Sequence, residues 1–239
     1  MNDCEKTFYV NKEMIGKSDI ILNYDGYISK EAYDQEERKI LFILKESYTS
    51  NIDDFKDSSI TKMLCEAINS TNNNSFGDET GSKHMFDKLA MVSYALLNDK
   101  FNFKEIKEEI DKNGQKSLLN VAYVNLSKEP LITSEHNPDK YTDCKNLVKN
   151  FEKYKDIIKN QIEQIDPDII VAFGKCDNKG LMELLTELFD SSLEDKNVGE
   201  TFININNKEK KLLFSYHPSH FGKTDEKFIQ VLEERWNNL

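Results

Sequence analysis

Cysteine and histidine are scarce in this chain, which has four of each among its 239 residues. The cysteines lie far apart, form no C-x-x-C pair and have no histidine at ligand spacing; they are Cys4, Cys65, Cys144 and Cys176. This arrangement argues against a zinc site and against an iron–sulfur cluster. We therefore expect no metal and no other cofactor, and we expect free, buried thiols in a reducing compartment.

Long apolar runs are also missing from the sequence. No uninterrupted apolar segment approaches the roughly 18 residues of a membrane-spanning helix. The first residues, MNDCEKTFYV, carry Asp, Glu and Lys and contain no apolar core of a signal peptide. These absences predict a cytoplasmic protein without a membrane partner.

Positive charge is in deficit, since 32 Lys and Arg face 43 Asp and Glu, and the net charge is −11. Such a balance opposes non-specific binding to a polyanion, because phosphate contacts need Lys and Arg. A nucleic acid could therefore bind only at a local basic patch. Hydrophobic residues make up 38% of the chain, which is enough for one sizeable core. We expect a single-domain monomer.

Apolar strands that alternate with amphipathic helices are the main pattern present. The strands are predicted at 40–44, 118–125, 168–174 and 211–216. The pattern predicts an α/β fold, a three-layer α/β/α sandwich with a mainly parallel central sheet of about four strands. Residues 1–38 are interpreted as an N-terminal extension packed on the domain formed by 39–239.

Local signals mark where several elements begin and end. Ser29 is a predicted cap of a short helix, and Gly114 a predicted helix end. A long helix is predicted from about 140 to 165, and a hairpin turn at Asn206-Asn207. Two further helix caps are proposed, Asp57 or Ser58 for the first and Asp177 for the second.

Each predicted strand ends in a group that could act in a site. Glu46, with Tyr48, follows the first strand, Asn125 ends the second, Gly174 ends the third and His217 follows the fourth. Each has an ordinary structural explanation, such as a solvated ion pair, a turn cap or a loop histidine. If the strands are parallel, however, these groups meet in the crevice at one edge of the sheet.

From about Ile40 to Trp236 the chain resembles the uracil-DNA glycosylase superfamily, as a divergent member without the cysteine pattern of its iron–sulfur branches. In that family a buried strand ends in G-Q-D-P-Y-H, a second in Asn and a third in Gly before a helix, and a fourth delivers H-P-S-P-L-S. The corresponding segments here are LKESYT (44–49), VNL (124–126), AFGK (172–175) and HPSHFG (217–222).

The resemblance implies an N-glycosidic hydrolase that releases uracil or a related damaged base from DNA. It implies that Glu46 and His217 are catalytic and that Tyr48 and Asn125 bind the base. Glu46 would stabilise the sugar cation and activate water, and His217 would donate to the departing base. By the same resemblance, the nucleic acid would be bound by Ser219, Phe221 and Lys223, with Phe221 as the wedge that fills the gap of an extruded base.

Two other interpretations remain open. The same fold could serve as a non-catalytic module that binds a nucleobase, a nucleotide, a nucleic acid or a protein, because fold does not imply function. A flavodoxin-like or other nucleotide-binding α/β protein is disfavoured, since the sequence has neither G-x-G-x-x-G nor G-x-x-x-x-G-K-[ST]. The glycosylase interpretation requires Glu46, Asn125 and His217 to line one cleft.

Overall fold

The computed structural model describes residues 1–16, 22–49, 59–70, 76, 82–132, 144–176, 179–191, 199–219 and 224–238. The helices are α1 (Asp3–Ile15), α2 (Lys30–Gln35), α3 (Ile60–Asn69), α4 (Lys83–Asn98), α5 (Phe103–Asn113), α6 (Cys144–Ile165), α7 (Leu181–Leu188) and α8 (Asp225–Asn237). The strands are β1 (Gly26–Tyr27), β2 (Ile40–Leu44), β3 (Tyr48–Thr49), β4 (Ala122–Asn125), β5 (Leu131–Ile132), β6 (Ile169–Phe173), β7 (Lys175–Cys176), β8 (Lys179–Gly180), β9 (Glu200–Ile205) and β10 (Lys208–Ser215).

The central sheet has six strands in the order β1-β4-β2-β6-β10-β9. The inner strands β4, β2, β6 and β10 are parallel, as the sequence predicts. The prediction of about four strands is too low, because an antiparallel strand lies at each edge, β1 on β4 and β9 on β10. Two short pairs, β3 with β5 and β7 with β8, form separate ribbons.

Helices cover both faces of this sheet, and each face has its own apolar core. On the first face, Leu41 and Ile43 of β2 pack in the core to which α1, α6 and α7 contribute. On the second, Ile40, Phe42 and Leu44 pack in the core to which α3, α4, α5 and α8 contribute. Every residue of β2 is buried, which explains why the strand is a continuous apolar run rather than an alternating one.

Residues 1–38 contribute to the sheet as well as to its surface. Strand β1 pairs with β4 through Gly26 and Tyr27. The buried Asn11 of α1 fixes this strand, because its side-chain amide donates to Tyr27 O at 2.8 Å and its Oδ1 accepts from Tyr27 N at 2.9 Å. The predicted N-terminal extension therefore supplies an edge strand of the central sheet.

A disulfide joins Cys4 of α1 to Cys65 of α3, with 5.6 Å between their Cα atoms. Cys144 is also disulfide-bonded. The prediction of free thiols is therefore wrong for these cysteines: a separation of 61 residues in sequence gave no sign that α1 packs on α3. Disulfides are rare in reducing compartments, so the predicted cytoplasmic location loses the support that free thiols gave it.

The predicted helix cap at Ser29, the helix end at Gly114 and the hairpin turn are confirmed. The Ser29 side chain caps α2 by accepting from Ala32 N, and Gly114 ends α5 with a φ of 62°. The turn between β9 and β10 is formed by Asn206 and Asn207, with φ of 53° and 59°, as a two-residue hairpin with that sequence requires. Among the described residues, no helix is both long and apolar enough to cross a membrane.

Three element starts differ from the predictions. Residues Lys116–Asn120 form a 3₁₀ turn, so the strand begins at Ala122 instead of 118; hydrogen bonds from Ser93 and Ser117 tie this turn to α4. Helix α3 is capped by Ser59, and Asp57 and Ser58 lie outside the described residues. Helix α7 begins after Gly180, and its predicted cap Asp177 also lies outside them.

Candidate functional site

The carboxyl ends of β4, β2, β6 and β10 lie side by side because these strands are adjacent and parallel. Asn125 is the last residue of β4 and pairs with Leu44 at the end of β2. Gly174 directly follows β6, and its N–H donates to Ser215 O at the end of β10 at 2.9 Å. The four predicted strand-end groups therefore share one edge of the sheet.

Glu46 lies just beyond β2, in the loop that leads to β3. The Tyr48 hydroxyl donates to Glu46 Oε1 at 3.2 Å, so two of the predicted site residues are in direct contact. The Tyr48 ring is 49% exposed. Backbone hydrogen bonds fix the loop on both sides of Glu46. Ser127 N donates to Lys45 O and Leu131 N donates to Ser47 O, each at 2.8 Å.

Asn125 is fully buried, and the structure connects it to the Glu46 loop through Ser47. The Asn125 side-chain amide donates to Ser47 Oγ at 3.0 Å, and Asn23 donates to the same oxygen at 2.8 Å. The Oδ1 atoms of Asn125 and Asn23 are buried and have no hydrogen-bond partner among the described residues. Buried acceptors without a donor are uncommon and call for an explanation, such as a bound donor.

Tyr123 of β4 belongs with Asn125 and Glu46 in the candidate site, although the sequence alone identifies it only as a strand residue. Burial raises the pKa of the Tyr123 hydroxyl, the nearby charges of Asp25 and Glu46 raise it further, and an interaction with the Asn125 side chain opposes the increase. The phenol is therefore neutral at physiological pH. The signal available in the sequence was its position two residues before Asn125, which places both side chains on the same face of β4.

Gly174, Lys45 and His217 meet on the other side of β2. Gly174 has a φ of +96°, and a Cβ added there would lie 3.3 Å from His217 Cβ and 3.3 Å from Lys45 Cε. Any side chain at this position would crowd the histidine. His217 Nδ1 accepts a hydrogen bond from Ser219 N at 3.2 Å, so the neutral ring carries its proton on Nε2.

The remaining predicted site residues are the three assigned to nucleic-acid binding, Ser219, Phe221 and Lys223. Ser219 is exposed and contacts His217 through its backbone N–H. Phe221 and Lys223 lie outside the described residues. Their predicted roles in binding nucleic acid therefore stay predictions.

A cleft of about 340 Å³ opens beside Glu46, between the β3–β5 ribbon and the first turns of α6. It is lined by Glu46, Ser127, Glu129, Pro130, Leu131, Asn146, Leu147, Lys149, Asn150 and Lys153. Of the predicted site residues that the structure describes, Glu46 is the one in this lining. Asn125 is fully buried and His217 is not among the lining residues, so this cleft does not meet the requirement that Glu46, Asn125 and His217 line one cleft. The contribution of α6 was missed, because its polar face was indistinguishable from a solvated face.

Glu129 is the second carboxylate of the cleft, and it is held in place by two donors. Lys153 Nζ donates to Glu129 Oε1 at 2.6 Å, and the Tyr154 hydroxyl donates to the same oxygen at 2.5 Å. Partial burial would raise the pKa of Glu129, but these hydrogen bonds and the Lys153 charge outweigh it, and the pKa lies below its ordinary value. Glu129 is therefore an ionised, paired group at neutral pH.

A buried ion pair supports the floor of the site. Lys128 Nζ donates to Asp25 Oδ1 and to Gln161 Oε1, both at 2.6 Å, and the side chains of Lys128 and Asp25 are both 0% exposed. The second oxygen of Asp25 accepts from the backbone N–H of Asn125 at 2.6 Å. Burial lowers the pKa of Lys128 and the Asp25 charge opposes this. The pair thus connects β1, the β4 end and α6.

The site contains no group of His, Cys, Asp or Glu side chains that could hold a metal, as far as the described residues extend. Its chemistry would come from the carboxylates, the neutral phenols, the imidazole and the amides. Comparison of the chain with models of known protein families gives no match, and comparison with curated proteins gives none either.

Proposed function

We propose that this chain is a divergent uracil-DNA glycosylase-like hydrolase that cleaves the N-glycosidic bond of uracil or a related damaged base in DNA. One observation carries the proposal. Four adjacent parallel strands bring Glu46, Asn125, Gly174 and His217, in the chain order of the resemblance, to one edge of the sheet. A cleft opens at the carboxylate of this set.

Glu46 would stabilise the positive charge that develops on the sugar. As the bond between the anomeric carbon and the base nitrogen breaks, its electron pair leaves with the base and the sugar becomes cationic. A carboxylate stabilises this cation and accepts a proton from the water whose oxygen bonds to the anomeric carbon. Glu46 suits this role because the Tyr48 hydroxyl orients one of its oxygens.

His217 would stabilise the negative charge that develops on the departing base. Its Nδ1 accepts from Ser219 N, which leaves Nε2–H as the donor of a neutral imidazole. A preoriented neutral donor stabilises a base anion without adding a proton-transfer step. Asn125 would read the base edge with its buried, unsatisfied Oδ1, and Tyr48 would form a wall of the base pocket.

The DNA contacts remain those implied by the resemblance. Ser219 would hold a flanking phosphate, Phe221 would fill the gap of the extruded base, and Lys223 would add local positive charge. Because the chain carries a net charge of −11, any attraction for DNA would have to come from local positive charge such as that of Lys223.

An excision assay on single-stranded and double-stranded oligonucleotides that contain uracil tests the proposal. We expect Glu46→Gln to slow excision about 10²–10⁴-fold, as loss of a general base does. His217→Ala should slow it about 10²–10³-fold. Glu108→Gln is the matched control, because Glu108 is exposed on α5, and it should leave the rate unchanged. Absence of release of any tested base would refute the enzymatic proposal, and excision insensitive to Glu46 would refute the mechanism.

A second candidate is a non-catalytic nucleobase- or nucleic-acid-binding module, and it is favoured by the cleft lining, which includes Glu46 but neither Asn125 nor His217. Asn125 is 0% exposed, so a base reaches its amide only after the Glu46 loop moves. Titration calorimetry with free uracil, nucleotides and short oligonucleotides distinguishes the candidates. Binding without excision supports the module, and excision of the bound base excludes it.

A further inference from the structure

The cleft beside Glu46 has the dimensions of a site for one small ligand. Its volume of about 340 Å³ is near the lower end of the range of about 300–1,000 Å³ that is usual for ligand pockets. Pro130, Leu131 and Leu147 supply apolar lining, and the other lining residues of α6 are polar or charged. This mixture suits a ligand with one apolar face and several polar groups.

Two carboxylates and two lysines are the charged groups of the described lining, Glu46, Glu129, Lys149 and Lys153. Lys153 is paired with Glu129 at 2.6 Å. Lys149 lines the same wall, is exposed, and has no ion-pair partner among the residues that the structure describes. An anionic group of a ligand would therefore meet its counter-charge at Lys149.

Asn150, next to Lys149 on α6, offers an acceptor. Its Oδ1 is buried and has no hydrogen-bond donor within the described ranges, and its side chain lines the cleft. Its side chain also helps to lower the pKa of Glu129, so the amide has a fixed neighbour. A buried acceptor on a cleft wall is suited to a ligand hydroxyl or N–H.

We propose that this cleft binds one nucleotide unit, with its phosphate at Lys149, a sugar hydroxyl at Asn150 Oδ1 and the anomeric carbon toward Glu46. The inference rests on the proposed function, because Glu46 defines which end of the ligand is the sugar. A single phosphate matches Lys149, the one lysine of the described lining without an ion-pair partner in the described part of the chain. The phosphate belongs either to a free nucleoside 5′-monophosphate or to a nucleotide within a single strand.

Binding measurements with three probes distinguish these sources: 2′-deoxyuridine, 2′-deoxyuridine 5′-monophosphate and a short single-stranded oligonucleotide that contains uracil. We expect the monophosphate to bind about three- to fivefold more tightly than the nucleoside, the upper range for an exposed charge pair. Lys149→Met should remove this preference. The matched control is Lys155→Met, because Lys155 is exposed on the same helix but does not line the cleft, and it should keep the preference.

The outcomes separate this inference from the proposed function. Equal binding of nucleoside and monophosphate by the unchanged protein, or equal effects of Lys149→Met and Lys155→Met, would overturn the phosphate site. Excision that depends on Glu46 but not on Lys149 would uphold the hydrolase and overturn the site. Lys149-dependent binding without excision would uphold the site while the hydrolase fails. Tighter binding of the oligonucleotide than of the monophosphate would assign the phosphate to a strand.

Discussion

Replacing Lys128 by methionine tests whether the buried ion pair holds the floor of the site. The change keeps much of the side-chain volume but leaves the Asp25 carboxylate buried without its cation. Both side chains are 0% exposed, and breaking such a pair by removing one partner costs about 3–5 kcal/mol. Gln161 Oε1 also loses its donor, so we expect about 4 kcal/mol, a large part of a typical stability of about 5–15 kcal/mol.

Urea unfolding followed by circular dichroism measures this loss. The control is Lys104→Met, because the Lys104 side chain is 87% exposed, and its effect should be within about 0.5 kcal/mol of zero. The double variant Asp25→Asn with Lys128→Met removes both charges. It should be less destabilised than the sum of the two single variants by about 2 kcal/mol, because the residues are coupled.

Two results would refute this reasoning. A Lys128→Met protein within about 1 kcal/mol of the unchanged chain would show that the pair contributes little. Additive effects in the double variant would show that Asp25 and Lys128 act independently, and that the support of the Asn125 N–H by Asp25 does not depend on the lysine.

Three further predictions concern the tyrosines, the disulfide and Gly174. Burial, with the charges of Asp34 and Asp166, raises the pKa of Tyr27 from its ordinary value of 10.0 to about 12. The neutral phenol therefore stabilises the fold below pH 10.0, and about 3 kcal/mol of stability should be lost as the pH rises from 10.0 to about 12. Tyr27→Phe should lose correspondingly less stability in alkaline unfolding, and equal losses would contradict the assignment. Replacing Cys4 and Cys65 together by serine should lower the free energy of unfolding by about 4 kcal/mol, given their separation of 61 residues, and a change below about 1 kcal/mol in non-reducing urea titrations would count against it. Gly174→Ala should cost about 1–2 kcal/mol, because φ is +96°, and should slow excision by displacing His217; unchanged excision would separate His217 from the site.

The sequence predicts best those elements whose signal is local. The buried runs of β2 and β6 and the Asn206-Asn207 turn contain their own evidence, and the structure agrees with them. Strand β1 was missed because its two residues carry no periodicity, and it is defined by Asn11 and by its pairing with β4.

The same distinction applies to the candidate site. Strand ends are visible in sequence, so Glu46, Asn125 and His217 could be proposed from it. The Cys4–Cys65 bond, the Lys128–Asp25 pair and the cleft wall at Lys149 depend on which helix packs on which strand. Tyr123 is an intermediate case. The sequence shows that Tyr123 and Asn125 share one face of a strand, but it does not show that Tyr123 is buried near the charge of Glu46.

The long-range bonds of the candidate site have a consequence for synthesis of the chain. Asn125 and Ser47 are 78 positions apart in the chain, and Gln161 and Asp25 are 136 apart. Each of these contacts closes a long loop, so none of them can form until the later partner has been synthesised. During synthesis, β2 and the Glu46 carboxylate that follows it emerge well before α6. The cleft therefore lacks the wall that α6 supplies until more than half of the chain has been made. A chain truncated before α6 should therefore lack this wall of the cleft and should not bind a ligand there.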